Sequence, residues 1–588
     1  MTLVLPEQDF QGHPANRRRN HGQVQFRAMR LALLLTAIVL ASLAFVIRFN
    51  ALGGSMGGFD DDEFVTLVRV DMALNGQQPG RDFADNELRG VWPSLAFEGP
   101  AVVQRIWGRN LFVHACYTLT ALGLCLVAVL VLADRLSRRW LVAVIAAVLV
   151  FLTWTVPYNY QKLFAMTLGI VAIYWPLAAA SGHQTSKSAW SEWYRCAPVA
   201  AAALVAGLLR HDYALCVGAG AVAGLAGTRL RPWHVPARRL AILAGLVLLV
   251  SAPSLVWLQV NGGILRYAEQ ALSASLTQNV NNPAMGFSPV IDLDAPFDPQ
   301  SLAAFVYYAC WALVVAAFGL LLWGLPRRAS GVDDGNRGMG WALVVMASVV
   351  NYFLLRTTLQ ARFGDAIVPV VLIGPWIVGQ ASLLRSGAAR AAARIGPPVV
   401  MTLMCVALVP IEEVPHELET GGFFREPFTA VPERFAQVRR ELTGLPPREW
   451  TGLAPREGVM AAARYVAVCT APDDRVLMGA FAEPVTYLSS RLFAAGQSYF
   501  AFSFLTTDAD QQLALQRLAR QSAPIAFTAF DYEHEVVKNY PLIDRHLASR
   551  YHQVGVIDFD GQPWLRVFVE NDRSPARTDP VSGFPCFR

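Results

Sequence analysis

Charge is what this chain has little of. Asp, Glu, Lys and Arg make up 16% of its 588 residues against 54% hydrophobic residues, with a mean hydropathy of +0.36. Soluble domains carry roughly 25% charged residues, so this composition excludes an ordinary soluble protein. The net charge of +5 is small and its basic residues lie between apolar runs rather than on one face, which excludes a nucleic-acid footprint. Cysteine is also sparse, and none of the eight has a Cys/His spacing of the zinc-binding kind. The C-terminal part has no GxGxxG, no P-loop and no Ser-centred elbow, and no internal repeat stands out along the chain.

What is present is a series of apolar runs of the length a helix needs to cross hydrocarbon. They cover residues 31–47, 111–133, 141–156, 163–179, 197–209, 214–227, 240–258, 303–324, 341–354, 366–378 and 397–409. The expected fold class is therefore an α-helical polytopic membrane protein of about eleven transmembrane helices. The first run is longer than a signal-peptide core and Phe49-Asn50 offers no small-residue cleavage site, so it reads as an uncleaved anchor.

Orientation follows from the basic loops. Arg17, Arg18, Arg19, Arg27 and Arg30 precede the first span, and alternate loops repeat the bias, as at Arg135/Arg138/Arg139 and Arg385/Arg390/Arg394. An odd number of spans puts all of these on the side of the N-terminus. The expected organisation is a cytoplasmic basic arm at 1–29, a transmembrane domain at 30–410 with an external loop at 49–110, and an extracytoplasmic α/β domain at 411–588. In that last part, 464–469, 475–479, 525–530 and 554–559 read as strands, interleaved with helices at 511–521 and 542–550. Cys469 and Cys586 both fall there, where an oxidising compartment permits a disulfide.

The first external loop opens with four consecutive acids, Asp60-Asp61-Asp62-Glu63, ahead of an apolar stretch from Phe64 to Leu74. Taken alone they are an acidic helix N-terminus favoured by the macrodipole. Crowded carboxylates also raise one another's pKa, which suits a base for a substrate hydroxyl. The apolar stretch is expected to lie in the interface plane and hold the acids at the membrane surface. A second long loop, 261–300, is expected to hold another helix at 264–276.

Cations then occur where the positive-inside preference disfavours them. Lys162 follows the third span, Arg210 with His211 and Asp212 follows the fifth, and Arg356 and Arg362 follow the ninth. A lone cation of this kind snorkels to lipid headgroups. Four together, opposite an acidic cluster, suit an anionic lipid headgroup, and Arg offers a donor fork for phosphate. Trp92, Trp107 and Tyr160 are candidates for stacking on a sugar or prenyl chain, although interfaces enrich aromatic residues generally.

An acidic pair after the first span, a multi-span core and an external C-terminal domain resemble the GT-C glycosyltransferase superfamily. The branch it looks like contains the protein O-mannosyltransferases and the lipid A aminoarabinose transferase. The residues that carry the resemblance are Asp62-Glu63, Leu74-Asn75-Gly76, Pro79-Gly80-Arg81-Asp82-Phe83, the Leu209–Tyr213 turn and Arg362-Phe363. The resemblance implies a GT-C-like fold and a transferase using a polyprenyl-phosphate-linked sugar at the outer face of a bacterial inner membrane. It makes Asp62 the catalytic base, with Asp61 as competitor and Glu63 orienting the acceptor or supporting Asp62.

Lys162, Arg210, Arg356 and Arg362 are then the donor-phosphate residues, and Arg81, Asp82, Tyr160, His211 and Asp212 the substrate residues. The acceptor is a cell-envelope glycan, lipid or protein. One base opposite the leaving group predicts inversion. No cofactor is required on this reading, although Mg²⁺ or Mn²⁺ at Asp60–Asp62 is chemically open. Competing readings are a transporter or flippase of a lipid-linked saccharide, a membrane sensor, and a polymerase or ligase moving a whole chain.

Overall fold

The computed structural model describes residues 14–53, 59, 61–84, 92–153, 160–180, 189–227, 234–281, 289–324, 332–354, 362–423, 428–450, 458–501 and 504–588. The helices up to the end of the bundle are α1 (Pro14–Ala51), α2 (Asp61–Leu74), α3 (Leu95–Trp107), α4 (Leu111–Ser137), α5 (Trp140–Leu152), α6 (Tyr160–Ala180) and α7 (Ala189–Leu209). They continue with α8 (His211–Gly227), α9 (His234–Asn261), α10 (Ile264–Asn281), α11 (Pro299–Gly319), α12 (Val332–Phe353), α13 (Phe363–Gln380) and α14 (Gly387–Ile411).

Each of the eleven expected runs lies on one of these helices where it is described. Among the described residues, α1, α4, α6, α9, α11, α13 and α14 are long and apolar enough to cross a membrane. Helices α5, α7, α8 and α12 are shorter or have polar first turns, and pack among the seven. The chain is thus an α-helical membrane protein. Its axis is α13, with 83% of its apolar window enclosed, while α1 and α9 are 17% enclosed and face outward.

Close packing is achieved with small residues, as expected where lipid supplies no hydrophobic drive between helices. Gly220 and Gly224 of α8, four apart, face α12. A methyl on Gly220 would meet Met346 at 2.5 Å, and one on Gly224 would meet Ala342 and the Gly338 carbonyl at 3.2 and 3.3 Å. A larger residue at either position would push the two helices apart.

After α14, helices α15 (Val414–Thr420) and α16 (Val431–Thr443) fold back on the end of α1, so the tail begins as part of the bundle. The rest is an α/β domain: α17 (Gly458–Cys469), β1 (Arg475–Gly479), α18 (Glu483–Leu488), β2 (Leu492–Phe493), α19 (Asp508–Leu518), β3 (Ile525–Ala529), α20 (Glu533–Asn539), α21 (Pro541–Arg550), β4 (Tyr551–Phe559) and β5 (Gln562–Glu570), then the short pair β6 (Arg577–Thr578) and β7 (Pro585–Cys586).

The main sheet runs β2-β1-β3-β5-β4, parallel from β2 to β3 and antiparallel beyond. Alternate residues supply two cores. Val476, Met478, Ile525 and Phe527 pack on one face, and Leu477 and Ala526 on the other. Both faces of β1 and β3 are covered, which is why they read as continuous apolar runs.

Two expectations are corrected here. Residues 464–469 are helical, not a strand. In α17, Gly458, Ala462, Tyr465, Val466 and Cys469 are buried at helical spacing. Helix α2 does not offer its apolar side to lipid. It is buried on all sides from Glu63 to Ala73, between α3 and the α18–β2 segment of the α/β domain.

Candidate active site

The cations of the misplaced turns meet at one end of the bundle. Lys162, two residues into the start of α6, donates to both oxygens of Asp365 at 2.7 and 2.8 Å. Arg362, just ahead of α13, reaches the same carboxylate at 3.2 Å. Arg210, between α7 and α8, holds Asp212 through Nε at 3.0 and 3.1 Å. The Tyr213 hydroxyl donates to the Asp365 carbonyl at 3.1 Å, which ties the two halves together.

Among the described residues, Lys162, Arg210 and Arg362 stand against Asp212 and Asp365. Lys162 is buried, while Arg210 and Arg362 keep 21% and 28% of their side chains exposed, so the guanidinium groups form the accessible edge. Arg356 lies outside the described residues. Asp365 was not anticipated. Its signal was an acid three residues after Arg362 on an otherwise apolar helix, the spacing of an i,i+3 pair.

The acids occupy the first turn of α2, where the macrodipole favours them. Asp60 lies outside the described residues, Asp61 is exposed and Asp62 half-buried. Glu63 faces inward to a short hydrogen bond with His114 Nε2 on α4, and both side chains are fully buried. Glu63 therefore cannot orient an acceptor arriving from solvent; it anchors the head of α2. His114, a lone histidine in an apolar span, is the partner that sequence reasoning missed.

Tyr160 is likewise corrected. It is 1% exposed, packs edge-on against Tyr117, and donates through its hydroxyl to the Ala96 carbonyl at 3.3 Å, so it offers no open surface to a substrate. It joins the two clusters all the same: the first turn of α6 brings Tyr160 within electrostatic reach of Glu63 and Lys162 onto Asp365.

Arg81 and Asp82 form a tight turn. Asp82 accepts from Arg81 at 2.6 and 2.9 Å and from the Gln78 amide at 2.9 Å. Burial works to raise the Asp82 carboxyl, but the Arg81 and Gln78 hydrogen bonds outweigh it and hold the group below its usual range. Arg81 also stands 5.9 Å from the Trp257 ring, and His211 meets Tyr267 edge-on at 5.8 Å. Trp107 is 67% exposed on α3 and joins neither cluster.

Cys469 and Cys586 are disulfide-bonded. With Asp579 they are the one close group of metal-ligand residue types among the described residues. Joined to each other, the two sulfurs are not thiolate ligands.

No family model matches this chain, and no curated protein matches it. Among solved structures it is similar to ArnT from Cupriavidus metallidurans. With ArnT bound to undecaprenyl phosphate, the identity is 13% and the TM-score 0.46, covering 91% of this chain and 97% of the other. With ArnT in the apo state, the identity is 13% and the TM-score 0.47, covering 91% and 98%. At that level of superposition the likeness assigns no residue and no activity to this chain.

Proposed function

We propose that this protein is a membrane glycosyltransferase that moves a sugar from a polyprenyl-phosphate donor to an acceptor hydroxyl. The observation that carries this reading is the convergence of Lys162, Arg210 and Arg362 on Asp365 and Asp212. A cluster of cations at the ends of spans suits a lipid-borne phosphate. We place it on the periplasmic face of a bacterial inner membrane, with the N-terminus cytoplasmic.

In this mechanism Asp62, half-buried at the head of α2, takes the proton of the acceptor hydroxyl. The acceptor oxygen attacks the anomeric carbon, and the bond from that carbon to the phosphate oxygen breaks with inversion. The cation cluster takes up the charge that develops on the departing polyprenyl phosphate. General-base assistance is worth about 10²–10⁴-fold, and a preorganised donor to developing charge about 10²–10³-fold. The positive charges come from the chain itself, so no metal ion is needed.

The test is release of polyprenyl phosphate by the protein in lipid nanodiscs, with a panel of polyprenyl-phosphate sugars and a periplasmic extract as acceptor. Release that collapses in Asp62→Asn supports the reading. Release that survives in Asp62→Asn moves the base to Asp61. Passage of intact lipid-linked sugar across the bilayer without release makes the protein a carrier instead.

A further inference from the structure

A cavity of about 120 Å³ lies where three parts of the chain meet. One wall is the first loop, with Phe83 and Trp92. A second is the end of α9 and the start of α10, with Trp257 and Tyr267. The third is the α/β domain, with Gln497 and Asp510. The volume holds roughly ten water-sized positions, the scale of one sugar ring.

Its chemistry is mixed in a particular way. Trp92 and Trp257 stack at 4.6 Å with their planes 21° apart. The Trp257 indole N–H is buried without a hydrogen-bond partner among the described residues, and so is the Gln497 side-chain oxygen, on a residue only 2% exposed. Both residues line the cavity, so its walls hold one unmatched donor and one unmatched acceptor just beneath their surface. Leaving such groups dry is unfavourable, so the site suits a ligand that supplies hydroxyls.

The charges there are already spent on each other. Asp510 accepts from Arg266 at 2.6 Å and from Gln270 at 3.1 Å, and Arg517 donates to the Arg81 carbonyl at 3.2 Å. An anion would have to displace an existing pair, whereas a neutral ring with apolar C–H faces and peripheral hydroxyls would not. Tryptophans at span ends are common at interfaces, but an interfacial role explains neither the stacked pair nor the two unmatched polar atoms.

We propose that this cavity binds a saccharide unit of the acceptor, an inference that rests on the transferase reading for its role but not for its chemistry. A donor sugar is bonded to the phosphate and must sit against the cation cluster. None of Lys162, Arg210, Asp212, Arg362 and Asp365 lines the cavity, which the His211–Tyr267 contact links to the cluster and which has Gln497 and Asp510 of the α/β domain in one wall. The α/β domain thereby completes a substrate site.

The test uses the full-length protein in nanodiscs and a panel of free methyl glycosides of hexoses, pentoses, heptoses and aminosugars. Binding is read by tryptophan emission and saturation-transfer NMR. At least one glycoside is expected to bind saturably, about tenfold more weakly in Trp257→Ala and in Gln497→Leu, and unchanged in Trp107→Ala, at an exposed residue outside the cavity. Trp257→Phe, which keeps a ring but not the N–H, is expected to bind between wild type and the alanine variant, which keeps the test open should the alanine variant misfold.

Absence of saturable binding across the panel overturns the proposal. So does binding indifferent to both Trp257 and Gln497, or binding displaced by polyprenyl phosphate, which would put the sugar at the cation cluster. Polyprenyl phosphate binding measured on the same nanodiscs separates the two readings. Its absence alongside glycoside binding removes the transferase and leaves the cavity, and the reverse removes only the cavity.

Discussion

Arg109 and Asp71 form a two-point pair, Nε to Oδ1 at 2.6 Å and Nη2 to Oδ2 at 2.5 Å. The same guanidinium donates to the Tyr487 carbonyl and the Ser490 hydroxyl of the α/β domain, both at 2.9 Å, and lies over the Tyr487 ring. One side chain thus fastens α2, which carries the acids, to the domain above it. Arg109→Ala leaves a buried carboxylate unpaired, at a cost of about 3–5 kcal/mol. The expected result is faster hydrogen exchange along α2 and α18 and a lower melting temperature. Arg109→Lys restores the charge but not the fork, and is expected to recover less than half of the loss.

The buried Lys162–Asp365 pair gives a second prediction. Asp365→Asn removes the carboxylate that Lys162 and Arg362 share and is expected to destabilise the protein by about 3 kcal/mol. Removing both charges in Lys162→Met/Asp365→Asn is expected to recover part of that stability, since the buried ammonium is gone while Arg362 still loses the carboxylate it shares. Polyprenyl phosphate affinity behaves otherwise: it falls about tenfold in Lys162→Met and stays low in the double variant. Melting curves and lipid-binding titrations on the same samples check both halves.

The membrane part was legible because lipid leaves little choice. A span must be a continuous apolar helix, so each run announces itself. The cations were legible because they interrupt turns that the alternation of basic loops leaves otherwise poor in Lys and Arg. Their arrangement was not, since Lys162 and Asp365 are 203 residues apart and only the bundle brings them together. Helix α2 looked amphipathic for the same reason, because its second partner, α18, comes some four hundred residues later. Strand β5 was missed although Leu565, Val567 and Val569 alternate inward. The turn before it, Asp560-Gly561, has both residues at positive φ, as a two-residue hairpin requires, and was the signal available.

Neighbouring acids of α2 are expected to separate by phenotype. Asp62→Asn should lower turnover about 10²–10⁴-fold with an unchanged melting temperature, because the side chain is only half-buried and the change is isosteric. Glu63→Leu should do the reverse in emphasis. It leaves the His114 ring nitrogen dry and is expected to cost about 1–3 kcal/mol of stability, with turnover falling only as far as the head of α2 loosens. Equal loss of turnover at equal stability in both variants would mean that Glu63 is itself the reacting group.

The α/β domain should carry its own acid limit at Asp579. Burial works to raise this carboxyl, but hydrogen bonds from Arg464 and from the Ser582 hydroxyl and amide, with the Arg464 charge, hold it down at about 2. Its side chain is fully buried. A carboxyl whose pKa is lower folded than unfolded stabilises the fold above its unfolded value, about 3.9, and that contribution is lost as pH falls towards 2. The amount is about 2 kcal/mol. Asp579→Asn is therefore expected to lower the melting temperature of the domain at pH 7 and to make little difference at pH 2. Calorimetry of the full-length protein across that range, with hydrogen exchange assigning the transition to residues 458–588, reads both. A wild type and variant that differ equally at pH 7 and pH 2 would show that Asp579 acts through packing and not through its charge.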